Sequence, residues 1–125
     1  MPKNLLIVDD EPAICDVIKA FADKMELFDR IIIANDGTEA WNKLQNQAFD
    51  LIILDVVMPK KSGLELLKQL KAEPRFKNTS VIIVSGNFDE ENVKEAIALG
   101  ARTLLAKPFT MEDIENKIKE CLPKE

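Results

Sequence analysis

The sequence predicts an α/β fold, a parallel sheet of five strands covered by helices on both faces. Three observations carry that prediction. Short apolar runs rich in β-branched residues recur at Leu5 to Val8, Ile31 to Ile33, Phe49 to Leu54, Val81 to Val84 and, more weakly, Thr103 to Ala106; such runs suit strands buried on both faces. The segments between them have helical periodicity, so β and α alternate five times and right-handed crossovers join parallel neighbours. Three of the runs also end in chemistry: Val8 leads into Asp9-Asp10, Leu54 into Asp55 and Val84 into Ser85. Parallel strands end on one side, and the carboxyl edge of an open α/β sheet is where ligands bind. These residues are therefore expected to converge, joined by Lys107 after the fifth run.

Each helix has its own local justification. Ile14, Val17, Ile18, Phe21 and Met25 fall on one face of the first, with Pro12 suited to its opening turn. Asp36-Gly37-Thr38-Glu39 reads as a capping box opening a helix through Ala40, Trp41 and Leu44. Ser62-Gly63-Leu64-Glu65 reads as a second box, opening a helix that carries Leu66, Leu67 and Leu70 and is stopped by Pro74, with Arg75 to Ser80 as a polar loop. A fourth helix runs from Asp89 to Leu99 and ends at Gly100, and a last one from Thr110 to Leu122.

Composition narrows the function. With 125 residues, 46% of them hydrophobic, the chain is sized for one domain spanning 1–125. A net charge of −5 and a pI near 4.9 argue against direct nucleic-acid or anionic-membrane binding, which needs a basic surface, and favour protein partners. Cys15 and Cys121 lack Cys-x-x-Cys spacing, the chain has no histidine, and both thiols read as core residues. No signal-peptide pattern opens the chain and no apolar run approaches the roughly 20 residues of a membrane span. A cytoplasmic setting is expected.

The acids carry the chemistry. Two carboxylates about 4 Å apart repel by about 1 kcal/mol in bulk water and roughly 4 at an effective dielectric of 20. Asp9, Asp10 and Asp55 together therefore call for a cation. Mg2+ suits them, being hard, oxygen-seeking and held by one or two carboxylates with water and phosphate completing its shell. Helix capping accounts for one acid of the first pair; Asp55, followed by Val56-Val57-Met58-Pro59, opens no helix. Asp55 is the candidate nucleophile for an acyl phosphate. The Lys107 ammonium and the Ser85 hydroxyl are candidates for neutralising the oxygens of a transferring phosphoryl group.

These residues stand in a recurrent order: Asp9-Asp10 after the first strand, Asn35 to Ala40 opening the second helix, then Asp55-x-x-Met58-Pro59-x-x-x-Gly63, Ser85-Gly86, Gly100-Ala101 and Lys107-Pro108-Phe109. In this the whole chain resembles the receiver domain of two-component response regulators, in particular the chemotaxis-regulator-like single domains. The resemblance implies a doubly wound, flavodoxin-like sheet in the order 2-1-3-4-5. It implies that Asp55 accepts a phosphoryl group from a sensor histidine kinase, a phosphotransfer protein or a small phosphodonor. Asp10, Asp55 and the Val57 backbone carbonyl would ligate Mg2+, Asp9 would act through water, and Ser85 and Lys107 would bind phosphoryl oxygens. The Lys107-Pro108 peptide is expected to be cis. A downstream protein would dock on the face of the fourth helix, fifth strand and last helix. Leu104 departs from the family, which places an aromatic residue there, and Val57 with Asn87 occupy positions that tune acyl-phosphate lifetime.

Three other readings compete. A phosphate-independent receiver would be a pure binding module, against which the intact Asp10, Asp55, Ser85 and Lys107 count. An aspartate-nucleophile phosphohydrolase would turn over external esters, but such enzymes resemble one another in an Asp-x-Asp pair where this chain reads Asp9-Asp10-Glu11. A nucleotide or flavin module needs an anion cradle after the first strand, where Asp9-Asp10-Glu11-Pro12 would repel the ligand.

Overall fold

A computed structural model describes residues 3–56, 63–86 and 90–122. Five strands, β1 (Asn4–Val8), β2 (Arg30–Ala34), β3 (Leu51–Asp55), β4 (Ser80–Ser85) and β5 (Thr103–Ala106), form one parallel sheet in the order β2-β1-β3-β4-β5. Between them run α1 (Pro12–Met25), α2 (Gly37–Asn46), α3 (Gly63–Ala72), α4 (Glu90–Ala98) and, last, α5 (Met111–Cys121). This is the doubly wound order expected.

Strand alternation divides the core into two layers. Leu6, Val8, Ile52, Leu54 and Ile83 point to the face covered by α2, α3 and α4, where Leu66, Leu67 and Ala96 meet them. Leu5, Ile7, Leu51, Ile53, Ile82 and Val84 point to the other face, against Cys15, Ile18 and Ala22 of α1 and Ile114 and Ile118 of α5. β1 and β3 are buried nearly end to end because both faces are covered, which is why they read as unbroken apolar runs.

Several boundaries differ from expectation for identifiable reasons. β3 begins at Leu51, not Phe49, and includes Asp55; Asp50 instead ties the amino edge, its Oδ2 accepting the Asn4 N–H at 2.8 Å. Val17, expected on the buried face of α1, is 43% exposed, because the helix buries a stripe centred on Cys15, Ile18 and Ala22. The segment after α3 is not wholly a loop: Pro74–Phe76 makes a 3-10 turn, Phe76 packs edge-on to Trp41 at 5.8 Å, and Ser80 already belongs to β4. Cys15 is buried as expected and Cys121 half-buried, its thiol 3.4 Å from Thr103 Oγ1.

At the second helix, Asp36 caps α2 by accepting the Glu39 N–H at 2.8 Å, and Glu39 reaches back to the Asn35 N–H. A capping box that the sequence reading did not single out opens α5, where Thr110 Oγ1 and Asp113 exchange bonds with each other's backbone. Gly100, φ +101°, ends the α4 segment in a conformation that side-chain-bearing residues rarely adopt. Ser62, Asp89, Val57 and Asn87 lie outside the described residues. Among the described residues no helix is long and apolar enough to cross a membrane.

Candidate functional site

The carboxyl edge of the sheet gathers the acids as the topology requires. Asp55 is the last residue of β3, in register with Val84, and Asp9 and Asp10 follow β1 directly. Carboxylate oxygens of Asp9, Asp10 and Asp55 lie within 4.8 Å of one another. Asp9 and Asp55 are 2% and 5% exposed; Asp10 faces outward.

Lys107, one residue past β5, enters the same space. Its Nζ lies 3.1 Å from Asp55 Oδ2, 3.3 Å from Asp9 Oδ2 and 3.6 Å from Glu11 Oε1. The Lys107-Pro108 peptide is cis, as the resemblance implied. Ser85 ends β4 in register with Ala106, and its carbonyl accepts the Lys107 N–H at 2.8 Å. It therefore sits on the same edge, one strand over from Asp55 and one position further along. Of the residues nominated from sequence, Asp9, Asp10, Asp55 and Lys107 converge, Ser85 flanks them, and Val57 lies outside the described residues.

Burial and mutual repulsion set the electrostatics. Asp9 is pushed up to about 6, first by loss of water and then by the Asp55 charge, against the pull of the Glu11 N–H and of Lys107. Burial works to lower Lys107, but the Asp55 and Asp9 carboxylates outweigh it and hold its pKa above the ordinary lysine value. The two Asp9 oxygens do different things. Oδ1 accepts the Glu11 N–H at 3.0 Å and shapes the loop, whereas Oδ2 is enclosed and, among the described residues, has no hydrogen-bond donor aligned on it, the Lys107 ammonium being present only as an ion pair. A buried carboxylate oxygen held only by an ion pair, with two further carboxylates beside it and, among the described residues, one ammonium for balance, is a donor set that fits a hard divalent cation.

Four residues to which the sequence assigns no site role contribute to the site. Glu11 adds a third carboxylate contact to Lys107. Asn35 Nδ2 donates to the Asp9 carbonyl at 3.1 Å, and Cys15 Sγ donates to the same carbonyl at 3.4 Å, so the residue after β2 and a residue of α1 both hold the Asp9 backbone. Burial first and the Asp9 charge next push the Cys15 thiol up to about 12, which makes it a structural donor and not a reactive one. Gly63 packs directly on β3: a Cβ there would overlap the Asp55 carbonyl oxygen and lie 2.8 Å from Val56 Cα. The Asp55-to-Gly63 spacing was the available signal for that glycine. Nothing in the spacing of Asn35 or Cys15 points to Asp9, because those bonds depend on which strands are neighbours.

The geometry has close relatives. Residues 5–119 match the family model described as response regulator receiver domain. Response regulator GtcR of Aneurinibacillus migulanus is 38% identical over 109 residues, covering 87% of this chain and 43% of that protein. A chemotaxis protein CheY homolog of Campylobacter jejuni is 31% identical over 120 residues, covering 95% and 92%. Against the first relatives, GtcR and Response regulator Rre1 of Synechocystis, the chain spans about half the relative's length. The crystal structure of chemotaxis response regulator CheY4 of Vibrio cholerae superposes with a TM-score of 0.87 at 30% identity, covering 98% of this chain and all of that one. A fold in the order 2-1-3-4-5, an acid cluster with its lysine, and a sequence match over almost the full length agree, and the chain belongs to the response regulator receiver domain family.

Proposed function

We propose that residues 1–125 form one receiver domain acting as a magnesium-dependent phosphorylation switch, with Asp55 as the residue phosphorylated. Receiver domains as a family work in phosphorylation-dependent signalling, are not conventional enzymes, bind Mg2+ at an acidic pocket, and interact with histidine kinases or phosphotransfer proteins and with downstream targets. The observation that carries the reading for this chain is the convergence of Asp9, Asp10 and Asp55 with the Lys107 ammonium 3.1 Å from Asp55.

In this reading an Asp55 carboxylate oxygen attacks the phosphorus of a phosphohistidine, the P–N bond breaks, and its electron pair returns to the imidazole. Asp10, Asp55 and the Val57 carbonyl would hold Mg2+, with Asp9 acting through water. The ion, when bound, supplies the positive charge that the crowded carboxylates and the phosphoryl oxygens require. Lys107 exchanges its carboxylate partners for a phosphoryl oxygen, as a mobile point charge can, and the Ser85 hydroxyl binds another. Later attack by water on phosphorus breaks its bond to the Asp55 oxygen, releases inorganic phosphate and restores the Asp55 carboxylate, so the chain acts chemically only on itself. A protein donor is supported by an apolar groove of about 440 Å3 beside the acids, lined by Ile14, Val17, Pro108 and Phe109 together with Lys107. Val17 is exposed there.

The added phosphoryl group brings roughly −1.5 to −2 charge and three acceptor oxygens. Drawing Ser85 and Lys107 onto it would reorder the loops after β4 and β5. The output is altered binding of a protein on the α4, β5 and α5 face, with coupling of about 1–3 kcal/mol, a five- to 150-fold change in affinity. Leu104, in β5 opposite Ile83, is half-buried against the α2, α3 and α4 layer, and would carry that shift by repacking. We assign no direct nucleic-acid or membrane contact and a cytoplasmic setting. The test is intact mass after acetyl phosphate with Mg2+. Wild type should gain one phosphoryl group and Asp55→Asn none; an unmodified wild type, or equal modification of both, overturns the reading.

A further inference from the structure

The opposite, amino edge of the sheet holds a pocket of about 560 Å3 that the switch chemistry does not use. Lys71 from the end of α3, Lys77 after the 3-10 turn and Arg102 just before β5 line it, with Glu120 of α5 on the far side. Three cations against one acid stand out in a chain with 22 acidic and 17 basic residues. None of the three is ion-paired among the described residues, while Glu120 lies 3.9 Å from Lys117. Lys71 is draped over the α4–β5 turn: a Cβ on Gly100 would be 3.8 Å from its Cε and 4.0 Å from its Nζ. The floor is tied down, with Ser80 Oγ donating to the Cys121 carbonyl at 3.0 Å and the Cys121 thiol bonded to Thr103.

We propose that this pocket binds a small, multiply charged phosphate-type anion, of the diphosphate class. Its volume is in the range of small-molecule sites. Cations from three separate elements, unpaired among the described residues, attract a compact polyanion, and the guanidinium fork of Arg102 favours phosphate geometry over a point-charge match alone. Ser80 and Ser85 are the two ends of β4, five residue steps or about 16 Å apart, so the pocket is separate from the acid cluster and does not depend on phosphorylation.

The experiment is an amide chemical-shift titration of the metal-free protein with inorganic pyrophosphate at low salt. Saturable shifts are expected at Lys77, Gly100, Arg102 and Thr103. Lys71→Gln and Arg102→Gln should each weaken binding by at least about fivefold, Lys71→Arg should retain it within about twofold, and citrate should bind at least about tenfold more weakly. Non-saturating shifts, shifts centred on Asp9, Asp55 and Lys107, unchanged affinity in both neutral variants, or citrate binding as well as pyrophosphate would each overturn the proposal. Because all three cations are surface-exposed, the rest of the spectrum should be preserved in every variant, and the Lys71→Arg comparison separates lost charge from lost fold.

Discussion

Replacing Asp9 by asparagine is expected to stabilise the metal-free protein at neutral pH, although it removes a residue of the acid cluster. Asp9 is held at about 6 against an ordinary 3.8, chiefly by burial. Between those values the folded chain keeps a proton that the unfolded chain has lost, so the Asp9 contribution to stability falls as pH rises through that window and stays low above it. At about 1.4 kcal/mol per pH unit the loss is of order 3 kcal/mol. Asparagine imitates the protonated form and keeps an oxygen for the Glu11 N–H, now accepted by Asp9 Oδ1 at 3.0 Å. The gain in unfolding free energy should therefore be near zero at pH 4 and about 2–3 kcal/mol at pH 7.5. Urea denaturation in EDTA at both pH values measures it. Adding Mg2+ should narrow the gap by stabilising the wild type more than the variant, which keeps Asp10 and Asp55 but lacks the Asp9 charge, each in proportion to RT ln(1 + [Mg2+]/Kd) with its own Kd. A variant no more stable than wild type at pH 7.5, or a gain that does not grow with pH, refutes the assignment of Asp9 as a buried carboxylate whose ionisation costs stability.

Three further outcomes are expected. Lys107→Met leaves Asp9 and Asp55 without their shared cation and should lower metal-free stability by about 1–3 kcal/mol, a loss that Mg2+ largely restores; chemical denaturation with and without the ion reads both effects. Gly63→Ala drives a methyl group into the Asp55 carbonyl and should cost at least about 2 kcal/mol while impairing phosphorylation by acetyl phosphate, seen as a lower thermal midpoint and a smaller modified fraction by intact mass. Thr110→Ala removes the cap of α5 and should cost about 1 kcal/mol without changing the phosphorylated fraction, which separates a stability effect from a site effect.

The chain's layered core was legible because both faces of the central strands are buried. That forces β1, β3 and β4 into continuous apolar runs that no loop would tolerate. Helix ends were legible where a side chain caps locally, as at Asp36, or where Gly100 breaks the pattern. The misplacements came where one face competes with another. Phe49 reads as the start of β3 because it is buried like a strand residue, though the chain joins the sheet only at Leu51. Val17 shares the apolar stripe of α1 yet is exposed, because periodicity defines a stripe but not which edge of it faces solvent.

By itself the sequence determined the residue types, their order and the strand ends on which they sit, since an acid directly after a buried parallel strand has only the carboxyl edge to occupy. The tertiary structure decided what those acids experience. Only strand adjacency brings Lys107 from 52 positions away to within 3.1 Å of Asp55. Only packing encloses Asp9 deeply enough to raise it to about 6, and only the β2–β1 and α1 contacts let Asn35 and Cys15 hold its carbonyl. The same holds at the far edge, where Lys71, Lys77 and Arg102 are ordinary surface charges in the sequence and neighbours around one pocket in the fold. Burial and proximity are long-range consequences of how covered faces pack, and local pattern carries no record of them.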